Sequence, residues 1–252
     1  MNRKLSILII LLLAVSAGWS QNMQALVDTA DRAYKEGNYP KAVTYYDSVV
    51  NQGYVAAELY YNLANAYFKQ QDLAYAILYY EKALQRAPHN EDIKHNLEMA
   101  RQMTLDKIEK VPEMFYVRWW RAISDMFSTQ MWAYLVVIFF IGTILLTGLF
   151  LLSRTVVVRK SAFYSGIITL LITIFAFVFA YRKYNAFTQD KAGIVFKPSV
   201  TVKGSPDAES VDLFVIHEGT KVFIQDKLGN WYEVKIANGS VGWIPKGTIQ
   251  VI

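Results

Sequence analysis

Few side chains in this sequence have the types and spacing that catalysis requires. The 252 residues contain no cysteine and three histidines, His89, His95 and His217. Glu218 follows His217, but the pair lacks the spacing that puts two imidazoles on one helical face around a zinc ion. We expect His217 to be a solvated turn residue and the other two histidines to lie on the surface.

Other reaction motifs are also missing from the sequence. It contains no glycine-rich phosphate loop, no GxSxG and no SxxK. Asn238-Gly239-Ser240 matches a glycosylation acceptor, but a predicted hairpin turn accounts for it. The sequence therefore predicts no enzyme, with no catalytic, metal-binding or cofactor-binding residues and no cofactor.

The N-terminus predicts export. Residues 1–20 begin with Arg3 and Lys4, continue with an apolar core of about eleven residues and end in small residues, as in a secretory signal peptide. That core is too short to span a bilayer comfortably. We expect cleavage before Gln21, while cleavage after Ala17 and an uncleaved anchor remain alternatives. In each case the segment that follows is exported.

Cysteine content and charge limit the cellular compartments and the classes of partner that fit this sequence. Without cysteine there is no lipoprotein attachment site and no disulfide framework, which fits a bacterial envelope better than an animal secretory pathway. The net charge of +5 is spread along the chain and gives no reason to expect a nucleic-acid partner.

Comparing the sequence with itself at an offset of thirty-four residues reveals a repeat. ALVDTADRAYKEGNYPKAVTYYDSVVNQGY aligns with ELYYNLANAYFKQQDLAYAILYYEKALQRAP. Small residues recur where two antiparallel helices would approach closely, and large aromatics recur between successive pairs. The positions are Leu26, Ala30, Ala33, Gly37, Tyr39, Ala42, Tyr46 and Val49, then Tyr60, Leu63, Ala64, Tyr67, Ala76, Tyr80, Ala83 and Pro88. Residues 23–90 thus resemble the tetratricopeptide repeat (TPR) family, which implies an α-helical solenoid.

Two repeats rarely bury enough surface to be stable alone, so the next segment matters. It starts at Asn90, a predicted N-cap. Apolar and small residues then recur at helical spacing: Ile93, Leu97, Ala100, Thr104 and Ile108. We interpret this segment as a capping helix or a degenerate third repeat, and place the repeats with their cap at 21–110.

The TPR resemblance implies a concave groove lined by the first helix of each pair. By position in the repeat, the groove residues are Val27, Asp31, Tyr34, Tyr61, Asn62, Asn65 and Phe68. Asn62 and Asn65 are similar to asparagines that bind an extended peptide backbone in some TPR proteins, although the basic residues that clamp a C-terminal carboxylate are missing. We predict a protein-binding groove; the alternative is that these residues only pack or are solvated.

Residues 111–181 have the composition of a membrane anchor. Residues 111–131 mix Trp119 and Trp120 with Arg118 and Arg121, which is typical of an interfacial amphipathic helix. Residues 132–152 and 162–181 are uncharged apolar runs long enough to cross a bilayer. One face of the second carries small residues suited to helix packing in lipid: Gly166, Thr169, Thr173, Ala176 and Ala180.

The two predicted spans form a tight hairpin around a short loop, residues 153–161. Because neither span carries a charge between its ends, we expect a plain anchor rather than a transporter or channel. The loop is basic, but the segments outside the two spans are basic as well. Charge alone is therefore weak evidence for the topology. The signal peptide is the better argument, and it predicts a multi-pass protein of the bacterial inner (cytoplasmic) membrane with both soluble parts in the periplasm.

Residues 190–252 alternate apolar and polar side chains. Seven strand-like runs, GIVF, VTVK, LFVI, KVFIQ, WYEVKI, SVGWI and TIQVI, are separated by turn sequences. Asn238-Gly239 predicts a type I′ hairpin, and Tyr232, Val234 and Ile236 are expected on one face of their strand. The runs HEGTKVFI, GNWYEVKI and NGSVGWIP resemble the bacterial SH3 family, which implies a small five-stranded barrel.

The SH3 resemblance has one departure and one candidate site. The sequence VTVKGSP stands where the family usually has Asn-Val-Arg before a Gly or Ser turn. We therefore do not assign to this chain the ligand contact that the family's Asn or Arg makes there. Trp231, Tyr232 and Trp243 are the candidate ligand patch; the alternative, which we favour, is that these aromatics form the core.

The chain has the order signal peptide, TPR pairs, helical hairpin and SH3-like domain. This order resembles that of the TPR-containing Bat (Bacteroides aerotolerance, BatE-like) proteins, and the resemblance covers essentially the whole chain. The resemblance implies a non-enzymatic membrane-anchored scaffold in an envelope stress or aerotolerance complex. Its partners would be von Willebrand factor A-type Bat proteins and a MoxR-type AAA+ system. The alternative is a peptidoglycan-binding cell-wall sensor or adaptor acting through the SH3-like domain.

Overall fold

The chain folds into two compact units. The computed structural model describes residues 23–108, 114–189 and 191–252; the predicted signal peptide at 1–20 lies outside the described residues. One unit contains residues 23–108 and 191–252, and the other contains residues 114–189. The predicted fold class, a helical repeat region, two long apolar helices and a C-terminal antiparallel β domain, is confirmed.

The repeat region consists of five helices joined by short turns. They are α1 (residues 23–35), α2 (Tyr39–Asn51), α3 (Ala57–Lys69), α4 (Leu73–Arg86) and α5 (Glu91–Gln102). Asn38, Asp72 and Asn90 cap α2, α4 and α5, because each side chain accepts a hydrogen bond from a backbone N–H in the first helical turn. The caps fix where α2, α4 and α5 begin.

Alanines let the helices approach, as the repeat predicts. Ala30, Ala42, Ala64 and Ala76 are all fully buried, and Gly37 adopts a φ of 77° at the first helix-to-helix turn. Larger buried side chains fill the remaining space: Tyr46, Val49, Leu63 and Tyr80. The repeat region is therefore a close-packed stack of antiparallel pairs.

The predicted helical spacing through Ile108 is wrong in its last part. α5 ends at Gln102, and the Thr104 hydroxyl donates to the carbonyl of Arg101, 2.7 Å away. Ile93, Leu97 and Ala100 are buried on α5, but Ile108 packs against the core of the β domain. Contacts with that domain, rather than helix propensity, fix residues 103–108.

The β domain (residues 191–252) is one antiparallel sheet of seven strands. They are β1 (Ala192–Val195), β2 (Ser199–Lys203), β3 (Asp212–His217), β4 (Lys221–Leu228), β5 (Trp231–Lys235), β6 (Val241–Pro245) and β7 (Ile249–Val251). Each corresponds to one of the seven predicted runs. Their order across the sheet is β3-β2-β6-β5-β4-β1-β7.

The prediction of a closed five-stranded barrel is wrong. Within residues 191–252, β3 pairs with β2 and β7 pairs with β1, while no pairing joins β3 to β7. Closure needs the two outer strands to share backbone hydrogen bonds, and the alternation of side chains carries no information about that pairing. The sheet stays open around its buried core.

The hairpin between β5 and β6 also differs from the predicted type I′ turn. Such a turn needs a positive φ at both central residues, yet Gly239 has a φ of 93° and Asn238 does not share that conformation. The Gly239 N–H donates to the carbonyl of Ile236, 2.9 Å away, and the Ile236 N–H donates to Ser240. The loop is therefore a three-residue turn with glycine in the left-handed position.

The second unit consists of three helices, α6 (Phe115–Asp125), α7 (Thr129–Leu152) and α8 (Val156–Gln189). α7 and residues Val156–Asn185 of α8 are long and apolar enough to cross a membrane, with mean hydropathies of 2.8 and 2.3. The connection is shorter than the predicted loop at 153–161, because α8 already begins at Val156. Arg159 and Lys160 therefore lie on a helix.

The predicted small-residue face of α8 packs as expected. Thr173 and Ala176 are buried, and Thr169 bonds to Thr143 of α7 through hydroxyls 2.9 Å apart. α6 is fixed to the hairpin by Trp120, whose ring stacks on Phe179 with centroids 4.4 Å apart. Its remaining large apolar side chains are exposed: Phe115, Tyr116, Trp119 and Ile123.

Candidate functional site

A cavity opens on the groove side of the repeat region. It has a volume of about 190 Å³ and lies between α1 and α3, with α2 behind it. Its lining residues are Asp31, Tyr34, Lys35, Tyr46, Asn62 and Asn65. Four of these, Asp31, Tyr34, Asn62 and Asn65, belong to the predicted groove.

Hydrogen bonds tie two predicted groove residues into the wall. Asn65 Oδ1 accepts from the Tyr80 hydroxyl at 2.5 Å and from Asn96 Nδ2 at 3.0 Å. The same Asn96 Nδ2 donates to the hydroxyl of Tyr61, 2.9 Å away. Asn65 and Tyr61 therefore hold α3, α4 and α5 in register, and changing either one would alter the wall as well as any ligand contact.

Asp31 and Asn62 keep most of their hydrogen-bonding capacity. The Asp31 carboxylate accepts from the Tyr46 hydroxyl through Oδ1, although a carboxylate has room for about four donors. Burial, followed by this hydrogen bond, raises the pKa of Tyr46, so the hydroxyl keeps its proton and remains a donor. In the described part of the chain, no other residue bonds to the partly exposed side-chain amide of Asn62.

Tyr34 supplies an aromatic wall. Its ring meets the ring of Tyr39 edge to face, with centroids 5.3 Å apart. Burial, followed by the neighbouring Tyr39 and Tyr61, raises the pKa of Tyr34, which therefore stays neutral. The cavity thus combines the carboxylate of Asp31, the aromatic face of Tyr34, the ammonium group of Lys35 and the amide of Asn62.

Two other predicted groove residues lie apart from the cavity. Val27 packs against the core of the first repeat, and Phe68 packs against the core of the second. Both are only partly exposed, and neither lines the cavity. Their contacts support the packing alternative for these two positions.

The prediction missed Asn96, Tyr46 and Lys35 as groove residues. Asn96 follows Asn62 by one repeat length, so extending the repeat into α5 would have placed it on the groove side. Tyr46 lies on a second helix, where the repeat pattern assigns packing. Lys35 follows Asp31 by one helical turn and was recoverable from that spacing.

The structure separates the predicted SH3-like patch into two faces. Trp231 pairs with Pro245 and Trp243 with Glu233, while Tyr232 pairs with the buried Ile244 on the opposite face. Tyr232 packs against the core of the β domain. Trp231 and Trp243 are half-buried on the outer face, so the favoured reading of all three aromatics as core is wrong for the two tryptophans.

The repeat region and the β domain share an apolar junction. Ile194 of β1 is fully buried in the core of the second repeat and α5. Phe196 meets Tyr75 of α4 edge to face, with centroids 4.7 Å apart. Part of the β domain therefore covers the end of the repeat stack, where a further helix pair would otherwise pack.

One buried carboxylate crosses this junction. Glu81 of α4 is 4% exposed, and it binds Lys221 of β4 at 2.8 Å and the guanidinium of Arg101 of α5. Both carboxylate oxygens therefore have a cationic partner. Glu81 joins two helices of the repeat region to a strand of the β domain.

A second carboxylate crosses at Asp106, and here the prediction that His217 is a solvated turn residue is wrong. The backbone N–H and Nδ1 of His217 each lie 2.7 Å from Asp106, and the Thr220 hydroxyl donates to it at 2.5 Å. His217 ends β3 and is partly buried. His89 and His95 are exposed, as predicted.

The charge state of Asp106 follows from these bonds. Burial alone would raise the pKa of this carboxyl, but the hydrogen bonds from Thr220 and His217 outweigh it and lower the pKa below its ordinary value. Nearby, Gly219 has a φ of 85°, and a Cβ there would lie 2.6 Å from Thr104 Cγ2. Only glycine fits this turn against the repeat region.

Comparison with known protein families agrees with this architecture. Residues 27–91 match the tetratricopeptide repeat family, and residues 198–250 match the bacterial SH3 domain family. The chain contains a TPR region and a bacterial SH3 domain. No curated protein matches the chain.

Both domain types are typically non-catalytic interaction domains, and no enzyme family is indicated. Within the described ranges, no group of three or more His, Cys, Asp or Glu residues is placed to hold a metal ion. The TPR cavity and the outer face of the SH3 domain are therefore the candidate sites for protein-protein interaction and for cell-wall binding.

Proposed function

We propose that this protein is a non-enzymatic, membrane-anchored scaffold whose TPR groove binds a segment of a protein partner in the periplasm. Two features support this function: the TPR region itself and the cavity on its groove side. By resemblance of the domain order to Bat proteins, the partners would be von Willebrand factor A-type Bat proteins and a MoxR-type AAA+ system of an envelope stress or aerotolerance complex.

The observation that carries the proposal is the unfilled bonding capacity of the cavity. Across the junction, protein groups bond to the carboxylates of Glu81 and Asp106. Asp31 and Asn62 instead face a space large enough for a side chain. A peptide crossing the groove would supply the missing donors and acceptors.

The packing of the TPR region against the SH3 domain supports the proposed topology. These regions flank the apolar helices in sequence but belong to one compact unit, so both must lie on the same side of any membrane that α7 and α8 cross. Two spans satisfy this condition, because the second returns the chain to the side it left. An N-terminal export signal makes that side the periplasm of a bacterial inner membrane.

Partner capture by the full-length chain tests the scaffold proposal. Asn62→Ala removes an amide that bonds to no other residue in the described fold, so the variant should still fold. Binding proteins should co-purify with it at clearly reduced yield. Asn51→Ala, at the exposed end of α2, is the matched control and should leave the yield unchanged. Equal yields from the wild-type chain and Asn62→Ala would sink the groove as the docking site.

A second candidate function, recognition of peptidoglycan, is favoured by the outward position of Trp231 and Trp243. Half-exposed indoles offer flat apolar surfaces with a polar N–H, a combination enriched at binding sites. The chain would then be a cell-wall sensor or adaptor that holds the TPR groove near the wall.

Sedimentation of the detergent-solubilised chain with purified murein tests this candidate. The proposal expects the wild-type chain to sediment and Trp243→Ala to stay in the supernatant. Trp119→Ala, an exposed indole on α6, is the control and should sediment like the wild type. A wild-type chain that stays in the supernatant would remove peptidoglycan from consideration.

A further inference from the structure

The size of the TPR cavity limits what it can hold. Pockets that take a whole small molecule usually have volumes of about 300–1,000 Å³, whereas this one has about 190 Å³. The cavity therefore suits one side chain of a bound segment rather than a separate ligand.

The walls of the cavity define the chemistry of that side chain. The Asp31 carboxylate has one donor, the Tyr46 hydroxyl, and no cation lies within 4 Å of it in the described parts of the chain. Tyr34 presents an aromatic ring, and Asn62 presents an amide. A carboxylate beside an aromatic face is a site for a cation with several N–H donors.

Charges around the cavity favour the same occupant. Three acids each lie one helical turn before a residue on the groove side and so share its helical face. They are Asp28 before Asp31, Glu58 before Asn62, and Asp92 before Asn96. All three acids are exposed. Two lysines, Lys35 and Lys69, lie toward the other ends of α1 and α3, so this face carries more acids than bases.

We propose that the cavity between α1 and α3 is a specificity pocket for an arginine or lysine side chain of an extended peptide, with Asp31 as the charge partner. This inference rests on the proposed peptide-binding function of the groove. Arginine is the better fit, because its planar guanidinium stacks on tyrosine and bonds to carboxylates in a fork geometry. Lys35, which also lines the cavity and is exposed, competes with the incoming cation for Asp31.

Two substitutions give effects of opposite sign. Asp31→Asn keeps an oxygen that accepts from Tyr46 but removes the charge, so affinity for a basic peptide falls at least about tenfold, the ratio expected from losing one charge-assisted hydrogen bond. Lys35→Gln removes the competing cation, so affinity rises about two- to threefold, as expected for one partly screened charge. An acidic occupant would reverse both signs.

The experiment is a selection of random ten-residue displayed peptides on the full-length chain in lipid nanodiscs, followed by titration of the most enriched peptide. The control peptide, titrated in parallel, is the same peptide with each basic residue replaced by glutamine. The proteins are the wild type, Asp31→Asn, Lys35→Gln and Asn62→Ala, with Glu36→Gln as the control for an exposed charge at the end of α1.

The expected result is an enriched arginine or lysine, weaker binding by Asp31→Asn, tighter binding by Lys35→Gln and no change with Glu36→Gln. Peptides that depend on Asn62 but show no basic preference would overturn the specificity pocket and leave groove binding intact. Peptides unaffected by Asn62→Ala, or no enrichment at all, would count against the groove itself and remove the pocket with it.

Discussion

The junction and the groove of the TPR region use the same residue types in opposite ways. At the junction, Glu81 has a cation at each oxygen, and Asp106 accepts three hydrogen bonds from the SH3 domain. In the groove, Asp31 has one donor. The carboxylates at the junction are bonded by protein groups, whereas Asp31 keeps free bonding capacity, as the proposed docking surface requires.

The largest expected effect is the loss of the buried charge at the junction. Glu81→Gln leaves Arg101 and Lys221 without their shared anion, and we expect a destabilisation of about 3 kcal/mol, the lower end for breaking a buried ion pair. Native-state hydrogen exchange of α4 and β4 in the full-length chain measures it.

A matched change checks this interpretation. Glu98 is 58% exposed at its side chain and lies 3.7 Å from Arg101, so Glu98→Gln should cost no more than about 0.5 kcal/mol. Equal effects of the two substitutions would show that Glu81 does not hold the junction together.

The next effect concerns the turn at Gly219. Gly219→Ala adds a Cβ in a left-handed conformation and against Thr104, so we expect a loss of about 2–3 kcal/mol. Gly229 also has a positive φ, 52°, but nothing lies within 4 Å of its added Cβ; Gly229→Ala should cost about 1 kcal/mol. Thermal unfolding of the two variants separates backbone strain from contact with the TPR region, and identical melting shifts would argue against that contact.

The Asp106 contact predicts a pH dependence. Because hydrogen bonds lower the folded-state pKa of Asp106, its stabilising contribution is fully present above the unfolded-state pKa of about 4 and is lost as pH falls through the lower folded value.

Hydrogen exchange of β3 at neutral pH and at pH values below about 4 measures this contribution. Other carboxyl groups titrate in the same range, so the difference between the wild type and Asp106→Asn isolates the contact. If the wild type and Asp106→Asn lose protection in parallel on acidification, the Asp106 contact contributes nothing.

The smallest stability effect belongs to the groove. Asn62→Ala removes a side chain without a partner in the described fold, so we expect the free energy of unfolding to change by no more than about 0.5 kcal/mol. Denaturant unfolding followed by the circular dichroism of the helices measures it. A loss of 2 kcal/mol or more, well above that estimate of about 0.5, would mean that the groove is structural, like the junction.

Periodic features of this molecule were predictable from the sequence. Ala30, Ala64 and the other buried alanines recur with the repeat, so one alignment places two helix pairs. Alternation of apolar and polar residues located the seven strands. The same alternation puts Trp231 and Tyr232 on opposite faces, so it already argued against one ligand patch containing Trp231, Tyr232 and Trp243. Periodicity works because each such residue meets the same environment at every turn or every second residue.

The junction was not predictable, because no periodicity relates its partners. Asp106 and His217 are separated by 111 positions, and Glu81 and Lys221 by 140. A histidine before Glu-Gly looks like a turn residue until the folded chain brings a carboxylate to it. The open sheet was not predictable for the same reason, since barrel closure depends on which distant strands pair.

We propose that the TPR region and the SH3 domain lie together outside the cytoplasmic membrane, anchored by a hairpin. The chain has no cysteine, so the variants Glu36→Cys, Gln225→Cys and Thr155→Cys each carry a single thiol for a membrane-impermeant maleimide. In intact spheroplasts, we predict labelling of the first two and protection of Thr155→Cys until lysis. Protection of either Glu36→Cys or Gln225→Cys while the other is labelled would contradict the account.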